Sequence, residues 1–197
     1  MTAPLRDAQR GALLEALGQV GPSAPTLCAG WDAHDLAIHI WQLQHDPRGW
    51  LLTLPMFAAR ARARMDGLKQ QWRYADLLTR MRADPGSLAC MPLDRLGDHR
   101  HALGEYFVHT ADVTRANGLP EPLVSPDMAD ALWLRACRAA QILRRSEGLL
   151  LVRPDGLNRQ IGRGPVRCMV SGEPGELILW VYGRGPAQVV ISDPPRQ

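Results

Sequence analysis

His101-Ala102-Leu103-Gly104-Glu105-Tyr106-Phe107-Val108-His109-Thr110-Ala111-Asp112-Val113-Thr114-Arg115-Ala116 is the stretch on which the reading of the fold turns. Its apolar spacing predicts a helix, from about Arg100 to Asn117, with Gly118 and Pro120 as the stop. On such a helix Glu105, His109 and Asp112 stand at i, i+4 and i+7 and share one face, with the small residues Ala102 and Ala116 a turn to either side. Side chains four apart have Cβ atoms roughly 5–6 Å from each other. A carboxylate and an imidazole at that spacing can share one metal ion through bonds of about 2.0–2.2 Å. Two ligands do not make a site, so a third must come from elsewhere. Alone, Glu-x-x-x-His is a pattern that many solvent-facing helices carry, and Asp112 reads equally as a surface acid.

Working outward, a helix is expected over residues 5–18, followed by a loop at Gly21-Pro22-Ser23-Ala24-Pro25. The next should start at Asp32 as N-cap, with Asp35 in the capping-box position, and be closed by Pro47 and Gly49. Its apolar stripe is Leu36, Ile40 and Leu43, and His39 lies inside it. That placement fits either a satisfied core histidine or a ligand. His34, near the helix start, reads as exposed, and His45 projects from another side. His99 and His101 lie at the entry to the quoted helix, with no pattern assigning them a role.

Residues 50–82 are helical but interrupted, with Pro55 and Gly67 as expected boundaries, and Asp84-Pro85-Gly86-Ser87 is a turn. Residues 88–98 look irregular. Ser125-Pro126-Asp127 opens a helix to about Arg145, with proline at its first position. After Glu147-Gly148 the texture changes. Leu149–Val152, Pro165–Ser171 and Ala187–Ser192 read as strands, and the spacing of Leu177, Trp180 and Val181 favours a helix between the last two. The chain thus divides into an all-helical part, 1–146, and a small α/β tail, 147–197.

Composition narrows the function. A chain with 46% hydrophobic and 22% charged residues is ordinary for a soluble globular protein, and a net charge of +3 over 197 residues leaves no basic stripe for nucleic acid. Arg60, Arg62 and Arg64 spread over a wide arc of a helix and read as a solvated face. Cys28, Cys90, Cys137 and Cys168 form no Cys-x-x-Cys pair, against zinc-finger or thioredoxin-like chemistry and for reduced thiols. The N-terminal residues lack a signal-peptide core and no apolar run reaches a membrane span, so a cytoplasmic protein without membrane partners is expected.

Cys28-Ala29-Gly30-Trp31-Asp32-Ala33-His34-Asp35-Leu36-Ala37-Ile38-His39 resembles a segment of the DinB-like metalloprotein superfamily, closest to its mycothiol-dependent maleylpyruvate isomerase branch. In that branch a Gly-Trp-x-x-x-Asp-Leu-x-x-His run carries the first metal histidine and a later helix carries Glu-x-x-x-His. Glu105 to His109 is similar to the second motif, Asp112 fits the aspartate that often follows, and Leu177-Ile178-Leu179-Trp180-Val181-Tyr182-Gly183-Arg184 resembles a segment of the branch's C-terminal domain. The resemblance implies a mainly α protein, a DinB-like four-helix bundle followed by a small C-terminal α/β domain. It also implies zinc, or another divalent metal such as nickel, iron or manganese, held by His39, Glu105 and His109. Two imidazoles and a carboxylate suit such an ion and leave positions open, as catalytic sites do.

The function so implied is a thiol-dependent transferase or isomerase in which the metal activates a small-molecule thiol, mycothiol as cosubstrate, against an electrophile. Asp112 is then an acceptor that orients a ligand, or a base near the thiol, and Arg184 reaches toward an anionic group, unless it is simply a helix-end charge. The rival readings are a non-catalytic metal- or small-ligand-binding protein of this fold and a metal-dependent hydrolase. Monomer and homodimer are both compatible with the sequence.

Overall fold

The computed structural model describes residues 2–46, 58–86 and 94–193. Seven α-helices and four strands are found among them, in the order α1 (Ala3–Gln19), α2 (Ala33–His45), α3 (Ala58–Gln71), α4 (Tyr74–Ala83), α5 (Arg100–Asn117), α6 (Pro126–Leu143), β1 (Leu149–Val152), β2 (Asn158–Ile161), β3 (Cys168–Ser171), α7 (Pro174–Val181) and β4 (Val190–Ser192). The protein is mainly α: a bundle of α1, α2, α4 and α5, with α3 alongside α2, then a small sheet with its own helix. None of the described helices is long and apolar enough to cross a membrane.

The bundle core is aliphatic. Leu13 and Leu17 of α1, Leu36 and Ile40 of α2, Leu77 and Met81 of α4, and Ala102, Tyr106 and Val113 of α5 pack in one cluster. Fully burying one such leucine contributes about 1.5–3 kcal/mol. Two buried polar contacts fix α5 against its neighbours: Gln9 Nε2 donates to Thr110 Oγ1 at 3.0 Å, and Gln44 Nε2 to the Tyr106 hydroxyl at 3.0 Å.

The expected capping box at the start of α2 is present in both directions, Asp35 N to Asp32 Oδ1 at 2.9 Å and Asp32 N to Asp35 Oδ2 at 3.2 Å. The helix ends at His45, with Asp46 as its cap. Pro47, Gly49 and Pro55, the other expected boundaries in this region, fall outside the described residues. Helix α5 obtains its cap from a distance. Asp94, in a short 3₁₀ turn where irregular chain was expected, accepts from His101 N and Ala102 N, both at 2.9 Å.

Several expectations need correction. Gly67 does not end a helix but sits inside α3, in open space, where the cost of a mid-helix glycine, about 1 kcal/mol, is tolerated. His34 is not exposed: at 7% accessibility it is buried edge-on against Tyr74, because α2's first turn is roofed by the α3–α4 junction. Arg62 and Arg64 are solvated as expected, and they pair with Asp66 and Asp46. In the tail, β2 had no signal because Asn158, Arg159 and Gln160 are exposed and only Ile161 is buried. β1 runs over Leu149–Val152 as expected, and β3 and β4 are shorter than expected, beginning at Cys168 and Val190.

The sheet order is β2-β1-β3-β4. β1 pairs antiparallel with β2, with Leu149 opposite Ile161, and parallel with β3, with Leu149 opposite Cys168; β3 pairs antiparallel with β4. Helix α7 lies between two cores. Ile178 and Leu179 pack with Leu103, Phe107 and Leu132 of α5 and α6, whereas Leu177 and Val181 pack with Leu149, Leu151 and Val170 of the sheet. Helix α7 is thus buried on both sides, and Tyr182 and Arg184, just past its end, bond to Glu105 and Asp112 of α5.

Candidate metal centre

The α1–α2 loop, α2, α5 and the end of α7 meet at one place. His39 comes from α2 and Glu105 and His109 from α5. Their potential ligand atoms all lie within 4.8 Å of one another. The Glu105 Oε2 to His109 Nε2 distance is 3.7 Å, close to the roughly 3.4 Å edge of a tetrahedron with bonds of about 2.1 Å. The His39 and His109 rings stand edge to face with centroids 5.2 Å apart, and the Trp31 ring lies 4.9 Å from that of His39.

His109 is oriented by Asp112. Its Nδ1 lies 2.9 Å from Asp112 Oδ2, and Asp112 is fully buried. A carboxylate there favours the tautomer with hydrogen on Nδ1, which leaves the Nε2 lone pair facing Glu105. Outer carboxylates orient metal-bound histidines in this way. Asp112 is itself gripped: Arg184 Nε donates to Oδ1 at 2.9 Å and Arg184 Nη2 to Oδ2 at 3.2 Å.

Sequence reasoning gave no role to four residues that line this place. Cys28 Sγ donates to Asp112 Oδ2 at 3.0 Å and accepts from Arg184 Nη2 at 3.3 Å. A turn sets it there: Trp31 N bonds to Cys28 O, Gly30 takes a positive φ of 76°, and Leu27 N bonds to Asp112 O. His101 places Nε2 3.8 Å from Glu105 Oε1. Arg135 of α6 lies 3.8 Å from the same oxygen, and the Tyr182 hydroxyl donates to it at 3.2 Å. The i, i+4 spacing of His101 and Glu105 was a local signal for His101. No local signal exists for the other three.

The electrostatics follow from burial. Desolvation, with His109 beside it, pushes His39 down to about 3, so at neutral pH it is an uncharged imidazole with a lone pair to offer. Burial alone would raise Glu105, but His101, His109 and Arg135 hold it below the usual carboxylate range. Burial likewise opposes ionisation of Asp112, and the bonds from His109 and Arg184 overcome it. Cys28 is the opposite case. Burial and the Asp112 charge push its thiol up to about 12, so it is a protonated donor and not a nucleophile.

Two imidazoles, that of His39 uncharged at neutral pH, and an ionised carboxylate held close together are a donor set that fits a divalent ion. Cys28, His109 and Asp112 are also near enough to one another to surround a cation. There, however, Asp112 already pairs with a guanidinium and the Nδ1 of His109 carries the hydrogen, so this second group is the poorer candidate.

No protein-family profile and no curated protein matches the chain. Two solved structures do resemble it, one described as the mycothiol-dependent maleylpyruvate isomerase and the other as a mutant of that enzyme. Each superposes with a TM-score of 0.65, over 98% of this chain and 95% of the other, at 16% and 17% identity. Likeness at that identity establishes the fold.

Proposed function

We propose that the protein binds one divalent metal ion through His39, Glu105 and His109 and serves a thiol-dependent transfer or isomerisation, with a low-molecular-weight thiol of the mycothiol type as cosubstrate. The observation that carries this reading is the meeting of three donor side chains from α2 and α5, one of them oriented by a buried carboxylate. A fold shared with a mycothiol-dependent isomerase supports the thiol part. When bound, the ion supplies the positive charge that stabilises a thiolate at neutral pH.

The chain's own residues divide the remaining work. Asp112 holds the proton on His109 Nδ1. Its oxygens accept from His109, Cys28 and Arg184, which suits an orienting group better than a base. Arg184 also donates from Nη1 to Tyr182 O, so among the described residues four of its five N–H groups are engaged. The fifth, with a side chain 23% exposed, is available to an anionic group on the thiol or the electrophile. Trp31 packs against the His39 ring, and both side chains are half-buried. We place the protein in the cytoplasm, where such thiols are abundant and reduced.

The test is elemental analysis of the purified protein, followed by thermal shifts with divalent metals and with candidate thiols. About one equivalent of metal, lost in His109→Ala, and a thiol shift only in the loaded protein are expected. Full metal content in His109→Ala overturns the site. Metal without any thiol response points to the non-catalytic binding protein.

A further inference from the structure

We propose that Arg135, lodged against Gly104, is a positioning residue that commits one oxygen of Glu105 to the protein and leaves the other for the metal; this rests on the metal reading above. The two oxygens of Glu105 have different surroundings. Oε2 faces His109 Nε2 at 3.7 Å. Oε1 receives the Tyr182 hydroxyl at 3.2 Å and lies 3.8 Å from both Arg135 Nη2 and His101 Nε2. Arg135 ties this group together. Its Nη2 is 2.9 Å from His101 Nδ1 and donates to the Tyr182 hydroxyl, while its guanidinium lies over the Tyr182 ring at 5.4 Å.

Arg135 is only 7% exposed, although it starts from a different helix, α6. It reaches the site by crossing α5 at Gly104. A Cβ on residue 104 would meet Arg135 Cγ at 2.7 Å, Nε at 3.2 Å and Cδ at 3.4 Å. Gly104 is not among the residues of positive φ, so its backbone would accept another residue. A glycine inside a helix forfeits about 1 kcal/mol against alanine. Space for the arginine stem is what the glycine provides. A carboxylate pinned through Oε1 would offer an ion its Oε2 alone.

The test uses the full chain with cobalt(II) as the probe, because its visible spectrum changes with coordination number and geometry. Affinity is read by chelator competition, and folding by circular dichroism and thermal melting. Relative to wild type, Arg135→Leu should bind cobalt(II) about 10–100-fold more weakly and with a changed spectrum, as expected when a group orienting a ligand is lost. Arg135→Lys should recover part of the affinity. Gly104→Ala, on the other helix, should reproduce the spectral change of Arg135→Leu, and it decides the matter if Arg135→Leu fails to fold. Wild-type spectrum and affinity in both folded variants overturn the proposal while leaving the metal site standing. A wild-type protein that takes up no cobalt(II) removes the metal reading, and this inference with it.

Discussion

Replacing Asp112 by asparagine removes the charge at the centre while keeping one oxygen for His109. Asparagine has nearly the same shape, and its Oδ1 can still accept from His109 Nδ1, so the imidazole keeps its orientation. What is lost is the negative charge facing Arg184, across bonds of 2.9 and 3.2 Å, and one acceptor, since an amide N–H2 then faces Arg184 Nε at a residue with no exposure. Breaking a buried pair by removing one partner costs about 3–5 kcal/mol. Arg184 is 23% exposed and can turn partly to water, which brings the expected loss to about 2–3 kcal/mol. For a chain of this size each kcal/mol moves the melting temperature by about 2–4 °C, so the metal-free variant should melt about 4–12 °C lower. Metal affinity should fall about 10–100-fold, since the carboxylate that raises the basicity of His109 has become a neutral amide. The assay is a thermal melt of metal-free protein beside chelator competition on loaded protein. Asp112→Ala should be worse on both counts, because it also frees the ring. Wild-type melting and metal affinity within twofold for Asp112→Asn would refute the reasoning.

Arg115 joins α5 to Glu176 of α7, at 2.5 Å through Nη2, and Gln188 N donates to the same carboxylate at 2.7 Å. Burial opposes the charge of Glu176, but the Arg115 and Gln188 bonds hold its pKa below the ordinary value. A depressed carboxylate contributes stability above its unfolded pKa, roughly 4.3, and loses it as pH falls through the folded value. Glu176→Gln should therefore cost about 1–2 kcal/mol at pH 7, and nothing once both forms are measured well below pH 4. Denaturant melts at several pH values read this directly, and a gap that persists in acid contradicts it. Asp32→Ala removes the α2 cap and both Asp32 oxygens from Lys69 Nζ, at 2.8 and 2.7 Å. A loss of about 1–2 kcal/mol in urea is expected; an unchanged midpoint would show that the box does not hold α2. In metal-free protein Cys28, its thiol pushed up to about 12, should react with iodoacetamide at pH 8.5 at least tenfold more slowly than in unfolded protein. Peptide mass spectrometry follows the rate at that residue, and equal rates would mean that Asp112 does not hold the thiol.

Periodicity made much of the helical frame legible: α5 over Arg100–Asn117, the capping box at Asp32, the Ser125-Pro126 start of α6 and the turn at Gly86 are all local events. The error at His34 has a simple origin. Position in a first turn says which way a side chain leaves the helix, and nothing about what packs over it.

The sequence by itself determined that Glu105, His109 and Asp112 share a face, because helical geometry repeats over distances the chain spans locally. It also put His39 in an apolar stripe, without saying what that stripe meets. Only the tertiary structure decided that His39 meets His109, that Asp112 is enclosed by Arg184 and Cys28, and that Arg135 and Tyr182 converge on Glu105. Arg184 and Cys28 are separated by 156 positions, and Tyr182 and Glu105 by 77. Contacts of that kind are set by how apolar faces pack, here by α7 wedged between two cores, and no spacing within a single helix encodes them.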